Sequence, residues 1–160
     1  MNLYLASSIV NSLRKALIVD DRWKLYFEGL GNTIIIALIA ALIGTVIGVF
    51  FAMVKYINKK TGKLKPLKIV ADIYITIIRG TPMMVQAMVI YWGYAFATGG
   101  QTLPLIPSGI LIVSINTGAY MAESVRGGII SIDPGQTEGA KAIGMTHVQT
   151  MVRVIMPQAL

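Results

Sequence analysis

Residues 29–54, GLGNTIIIALIAALIGTVIGVFFAMV, contain no charged side chain. At about 1.5 Å per residue, this run of roughly 26 positions outlasts a hydrocarbon core of roughly 30 Å if it is helical. It predicts a transmembrane helix and places the chain in a membrane. Composition agrees: 55% of the 160 residues are hydrophobic and 13% charged, and the mean hydropathy is +0.69, a balance foreign to a soluble globular domain. Within the run, Gly44 and Gly48 form a G-x-x-x-G pair. Such a pair lets a second helix come close, although glycine is also simply common in membrane helices.

Both flanks of the run are charged. Before it, Met1 to Glu28 mixes an apolar start with Arg14, Lys15, Asp20, Asp21, Arg22 and Lys24. That is too charged to span, so residues 1–28 are read as an interfacial segment anchored at headgroup level by Trp23, Tyr26 and Phe27. After it, Lys55, Lys59, Lys60, Lys63, Lys65 and Lys68 follow with no acid among them. The positive-inside bias puts this segment in the cytoplasm and the N-terminus outside. The lysines account for much of the formal charge of +7. They sit beside apolar runs, without the interleaved aromatics of a nucleic-acid surface, so no nucleic-acid partner is expected. Membrane lipid is.

A second apolar region begins near Ile69 and is interrupted by Arg79-Gly80-Thr81-Pro82, where Thr81 suits a cap and Pro82 a helix start. The helix from Pro82 to Ala97 would measure roughly 24 Å, short of a bilayer. The segment before the break therefore either completes the crossing or lies along the interface. Gly99 to Pro107 is an uncharged turn fit for the outside, and Ile110 to Met121 with its flanks forms a third span, ending at Glu123 and Arg126 in i, i+3 spacing. Three spans from an external N-terminus bring the chain back inside at Asp133.

There the composition turns polar. Asp133 suits an N-cap, Pro134 the first helical position, Gln136 a capping box and Gly144 a C-terminal stop. Thr146 and Gln149 repeat the capping-box spacing. Val148, Met151, Val152 and Ile155 recur on one helical face, and Pro157 closes the segment. The first of these two helices contains Gly135, Gly139, Ala140 and Ala142 around Glu138 and Lys141. Internal glycine costs roughly 1 kcal/mol against alanine, so such a helix is held by what it packs on, and its bare backbone suits close approach to a partner.

Glu138-Gly139-Ala140, then Gly144, then Val154, Met156 and Pro157 resemble the "EAA" loop of the membrane subunits of bacterial ATP-binding-cassette (ABC) importers. The family pattern is Glu-Ala-Ala, three residues, Gly, nine residues, Ile, any residue, Leu-Pro. The chain departs from it at Gly139, Val154 and Met156 but keeps the spacing. Gly31-Asn32-Thr33, Arg79-Gly80-Thr81-Pro82, and Ala119-Tyr120-Met121-Ala122-Glu123 with Arg126-Gly127-Gly128 look like the polar amino acid branch, so the likeness runs from about Gly29 to Leu160. The resemblance implies an all-α, polytopic transmembrane helical bundle over residues 29–160, with 133–157 as a cytoplasmic coupling loop. It makes Gly135, Glu138, Gly139, Ala140, Lys141, Gly144 and Pro157 the residues that meet a separate ABC ATPase subunit. It also implies a second permease subunit, identical or different, an extracytoplasmic solute-binding protein, and a bacterial inner-membrane location. Family members continue past the matching proline with roughly two more membrane helices, so against that pattern the chain reads as an incomplete permease.

Chemistry of its own is not expected. There is no G-x-x-x-x-G-K-[ST], the nearest match being Thr61-Gly62-Lys63-Leu64, so ATP and magnesium belong to the partner ATPase. His147 lacks companions at ligand spacing, and Ser108, Ser114 and Ser124 lack a histidine at motif spacing. No metal and no catalytic residue are predicted. The candidate substrate path is Arg79, Asn116 and Thr117, since polar groups at membrane depth are costly. Arg79 beside a helix start suits a carboxylate, and alternatively snorkels to the interface and pairs with Asp72. Asn116 suits either an aqueous path or an interhelical hydrogen bond. A secondary carrier or channel is the rival reading, disfavoured because no ionisable coupling residue stands between Gly80 and Ala122. A non-transporting remnant is the other.

Overall fold

Nothing between Trp23 and Thr61 stops a helix: there is no proline, and no two glycines are adjacent. In the computed structural model, which describes residues 2–159, this stretch is one 39-residue helix. The chain runs α1 (Asn2–Leu17), a 3-10 turn (Val19–Asp21), α2 (Trp23–Thr61), α3 (Lys65–Gly80), α4 (Met83–Ala97), α5 (Leu105–Ser131), α6 (Pro134–Ala142), α7 (His147–Thr150), a π-helical turn (Met151–Ile155) and α8 (Met156–Ala159). The described residues contain no strand. The helical run Val19–Thr61 and α5 are each long and apolar enough to cross a membrane.

Residues 1–38 and 39–160 form two compact units. In the first, α1 stops where Asp20 and Asp21 take left-handed backbone angles, φ 57° and 55°, a conformation that aspartate tolerates better than most residues. Lys24 Nζ then bonds Asp21 Oδ2 at 2.6 Å. Trp23, Tyr26 and Phe27 are exposed, as anchors would be, but belong to the first turns of α2. The loss of charge at Gly29 marks where the helix becomes apolar, whereas the helix itself begins at Trp23.

The second unit is organised around glycine. A Cβ built on Gly44 would stand 2.7 Å from Thr117 Cβ, and one on Gly48 would overlap Met121 Cβ and lie 2.9 Å from the Ala122 backbone nitrogen. The G-x-x-x-G pair is therefore the surface on which α2 and α5 meet backbone to backbone. From the α5 side, Gly118 leaves room for Ile47 and for the Tyr74 hydroxyl, each 2.8 Å from where a Cβ on Gly118 would stand. Tyr74 Oη donates to the Ile115 carbonyl at 2.6 Å, which ties α3 to α5. Its ring lies 5.0 Å from Phe51 of α2.

The helix break turns the chain by 106° between α3 and α4. Such an angle excludes a straight crossing through both helices and matches a segment that lies across the following span. Thr81 does not cap α4. Its hydroxyl folds back onto the Ile77 carbonyl of α3 at 2.8 Å, and Pro82 takes the N-cap position. Beyond the turn at Gly99 and Gly100, both at positive φ, α5 begins at Leu105, so Pro107 lies inside its first turn. No intrahelical partner is needed for a nitrogen there, which is why proline fits.

The α2–α5 contact makes a direct prediction. Gly48→Ala should destabilise the folded chain in detergent by about 1–3 kcal/mol, the cost of overpacking. Gly127→Ala, on α5 where an added Cβ meets nothing within 4 Å, should be neutral or raise the melting temperature.

Candidate functional site

The polar loop after α5 forms as its local chemistry dictates. Asp133 Oδ1 accepts from the Gly135 nitrogen at 2.6 Å, capping α6 with Pro134 at its first position. Gln136 does not complete a capping box; its side-chain oxygen accepts from Gln158 Nε2 of α8 at 3.5 Å. At the other end Gly144 has φ +81°. Its nitrogen donates to the Lys141 carbonyl at 2.9 Å, and that of Met145 to the Ala140 carbonyl at 3.0 Å. This pair of bonds is a Schellman stop, which requires a residue free to take positive φ. Thr146 and Gln149 form the reciprocal box expected of them, at 2.8 and 3.3 Å.

The second helix of the loop differs from a regular amphipathic one. Residues 151–155 widen into a π turn, with the Met156 nitrogen bonding the Met151 carbonyl. Pro157 then lies inside α8 and does not end the segment. A proline ring clashes with the carbonyl four residues back in a regular α-helix, and the wider turn before it relieves that clash. Widening also rotates the face. Met151 and Ile155 are buried at 6% and 4% exposure, whereas Val148 and Val152 are exposed at 72% and 62%. Met151 and Ile155 enter a cluster with Ala52 of α2 and with Val125 and Ile129 of α5. Further along, the Gly128 backbone abuts the Ala159 carbonyl so closely that no side chain fits between them.

The proposed coupling residues fall into two groups. Ala140 is the buried residue of α6, packed inward. Gly135, Glu138, Gly139, Lys141, Gly144 and Pro157 are exposed, and a Cβ on Gly139 would meet nothing within 4 Å. Ile143, at the C-cap, is 79% exposed. Its signal in the sequence was an isoleucine in an otherwise small and polar helix, adjacent to the stop glycine. Val148 and Val152, also exposed, line a groove against Met53, Tyr56 and Ile57 of α2.

Arg79, Asn116 and Thr117 go to three different places. Arg79 does not pair with Asp72; its guanidinium lies 5.3 Å from the Tyr120 ring centroid, while Asp72 bonds Lys55 at 3.1 Å and Lys68 at 2.7 Å. Asn116 Nδ2 donates to Gln86 Oε1 at 3.2 Å, an interhelical bond between α5 and α4. Thr117 packs on Gly44 in the helix contact. Gln86 is the residue that sequence reasoning passed over. Its Nε2 reaches back to the Ile78 carbonyl at 2.7 Å and to Thr81 Oγ1 at 2.8 Å, bonding across the break. A single amide in the apolar stretch one turn after Thr-Pro was the available clue.

Glu123 and Arg126 form their i, i+3 pair, with Nε to Oε2 at 2.8 Å and Nη2 to Oε2 at 2.6 Å. They also belong to something larger. Lys55 Nζ bridges Glu123 at 2.7 Å and Asp72 at 3.1 Å, so Arg126, Glu123, Lys55, Asp72 and Lys68 form one chain of charges across α5, α2 and α3. The Lys55 and Glu123 side chains are 18% and 16% exposed, against 44% and 35% for Lys68 and Asp72. Among the described residues no group of three or more His, Cys, Asp or Glu side chains is placed to hold a metal.

Residues 44–160 match the family model described as "Binding-protein-dependent transport system inner membrane component". The chain is 35% identical over 143 residues to the L-cystine transport system permease protein TcyB of Bacillus subtilis, a match that covers 89% of the chain and 58% of that relative. It is 33% identical over 132 residues to the arginine transport system permease protein ArtQ of the same organism, covering 82% of the chain and 58% of the relative. A solved structure, the crystal structure of an amino acid ABC transporter with histidines, superposes with a TM-score of 0.72 at 41% identity over 85% of the chain and 60% of its own. The chain thus spans about three fifths of the length of these proteins.

The shielding gradient along the charge network sets the expected energies. A double-mutant cycle of Lys55→Ala with Glu123→Ala, read by denaturation in detergent, should give a coupling of about 1–3 kcal/mol. The same cycle on Lys68 and Asp72 should give about 0.3–0.5 kcal/mol, typical of an exposed i, i+4 pair.

Proposed function

The chain belongs to the family of inner membrane components of binding-protein-dependent transport systems, and from that premise we propose that it is a permease subunit of an ABC importer for a small polar solute, an amino acid in class. The relatives named for L-cystine and arginine transport support that class of solute. The observation that carries the coupling role is mechanical. Helix α6 and its C-cap leave Glu138, Gly139 and Ile143 exposed, while the loop behind it is rooted through Met151 and Ile155 in the α2–α5 core. A displacement imposed on α6 by a separate ATPase would therefore be passed to the two long helices, because close-packed side chains shift together and leave little slack.

In this reading ATP and magnesium are handled by the ATPase, a second permease covers the exposed membrane faces, and an extracytoplasmic binding protein delivers solute. The lysine-rich turn at 55–68 and the loop at 133–157 both lie in the cytoplasm, and the N-terminus lies outside. Arg79 stands just before the break at which α4 begins, over the Tyr120 ring, and Asn116 bonds Gln86 one turn beyond it. Free N–H groups and a guanidinium there suit a carboxylate. Gln86 fixes the shape of the break by bonding across it, and Thr117, turned into the helix contact, takes no part in the path. A carrier driven by an ion gradient remains disfavoured by the absence of charge from Gly80 to Ala122.

The test is made on a transport-competent assembly. Gly144→Val places a β-branched residue at φ +81°, which should cost about 1 kcal/mol or more and tilt α6. Glu138→Lys reverses a charge on its outer face. Both variants should insert normally yet lose solute-stimulated ATP hydrolysis and retain less ATPase on purification. Normal stimulation and normal retention in both would refute the coupling role.

A further inference from the structure

A cavity of about 390 Å³ opens beside the charge network, between the end of α2, the start of α3 and the end of α5. Its polar rim includes Lys59, Lys68, Arg126 and Asp72, and its apolar wall is Ile129 and Ile130. Ile129 is rooted in the core and Ile130 is 53% exposed. Lys55 also lines it, already shared between Asp72 and Glu123. Four cations, Lys55, Lys59, Lys68 and Arg126, thus share two carboxylates, those of Asp72 and Glu123. The local balance is about +2 by unit side-chain charges at neutral pH. Lys59 carries no ion pair among the described residues.

Internal neutralisation is therefore incomplete, and the excess is concentrated where two membrane-length helices end. A soluble phosphate would answer the charge but leave the isoleucine wall wet. An amphiphile with a phosphate head answers both, because its anionic group meets the cations while its glycerol and first methylenes cover the apolar wall. Basic pockets between membrane helices hold anionic headgroups in this manner. We propose that this cavity is a binding site for one anionic phospholipid, with its phosphate between Lys59, Lys68 and Arg126 and its glycerol backbone against Ile129 and Ile130. The bound lipid would brace the junction of α2, α3 and α5. It rests on the membrane placement of the chain, and on neither the identity of the solute nor the ATPase contact.

Native mass spectrometry of the chain titrated with phosphatidylglycerol, and with phosphatidylcholine of the same acyl chains, tests this. Phosphatidylglycerol should bind more tightly, and Lys59→Ala should weaken it about fivefold, the share of one lysine near an anionic headgroup. Lys63→Ala should change it less than twofold, since Lys63 is exposed and does not line the cavity. Glycerol 3-phosphate, the head without the chains, should fail to displace the lipid. Equal affinity for the two lipids, or equal losses in the two variants, would mean a diffuse lysine field and overturn the site. Binding of glycerol 3-phosphate as tight as that of the lipid would mark a soluble phosphate site and overturn the lipid. The titration contains no ATPase, so a failed coupling experiment leaves its result standing.

Discussion

The contact of Gly44 and Gly48 with Thr117, Gly118 and Met121 is the constraint from which the rest of the second unit follows. Between helices in lipid there is little hydrophobic force to draw them together, and close van der Waals packing has to supply it. Bringing the backbones together at this point fixes the register of α2 against α5. With that register Lys55 meets Glu123, and Ala52 falls opposite Val125 and Ile129. Tyr74 then reaches the Ile115 carbonyl beside Gly118, which brings α3 into the same unit.

The polar loop at 133–157 depends on that frame. Helix α6 has nine residues, several of them glycine or alanine, too short and too permissive to stand alone. It is positioned from both ends: by the aspartate cap that follows α5 directly, and by the π turn whose Met151 and Ile155 fill the space between α2 and α5. Part of its surface is left bare, with Gly139 open and Ile143 exposed. Rigid attachment behind and an uncovered face in front are what a lever requires. The break between α3 and α4 is built differently, from polar bonds. Gln86 ties α4 to the carbonyl of Ile78 and to Thr81, and Asn116 ties Gln86 to α5.

Much of this was legible in the sequence wherever the cause was local. The charge-free run at 29–54 announced α2, and the Asp133, Gly144 and Thr146–Gln149 caps appear as their residue types require. The failures came where a local signal met a tertiary one. Thr81 had the right position for a cap, but its hydroxyl was closer to the carbonyl of the turn before. Val148, Met151, Val152 and Ile155 would share one face of a regular helix, but the π turn at 151–155 brings Met151 and Ile155 into line on the buried side and leaves Val148 and Val152 exposed. Spacing along α3 offered Asp72 to Arg79, whereas Asp72 is taken by Lys68, one turn earlier on the same helix, and by Lys55 of α2. Lys55 and Glu123 are 68 residues apart, and no periodicity reports such a pair.

If α6 meets an ATPase, the two stand within reach of a short cross-linker. A cysteine at Gly139 is tolerated, since its Cβ meets nothing, and the chain has no other cysteine. Exposed to a short thiol-to-lysine cross-linker in membranes that contain the ATPase subunit, Gly139→Cys should yield a covalent permease–ATPase product, and Gln101→Cys, in the loop on the opposite side, should yield none. A product from position 101 with none from position 139 would contradict the account.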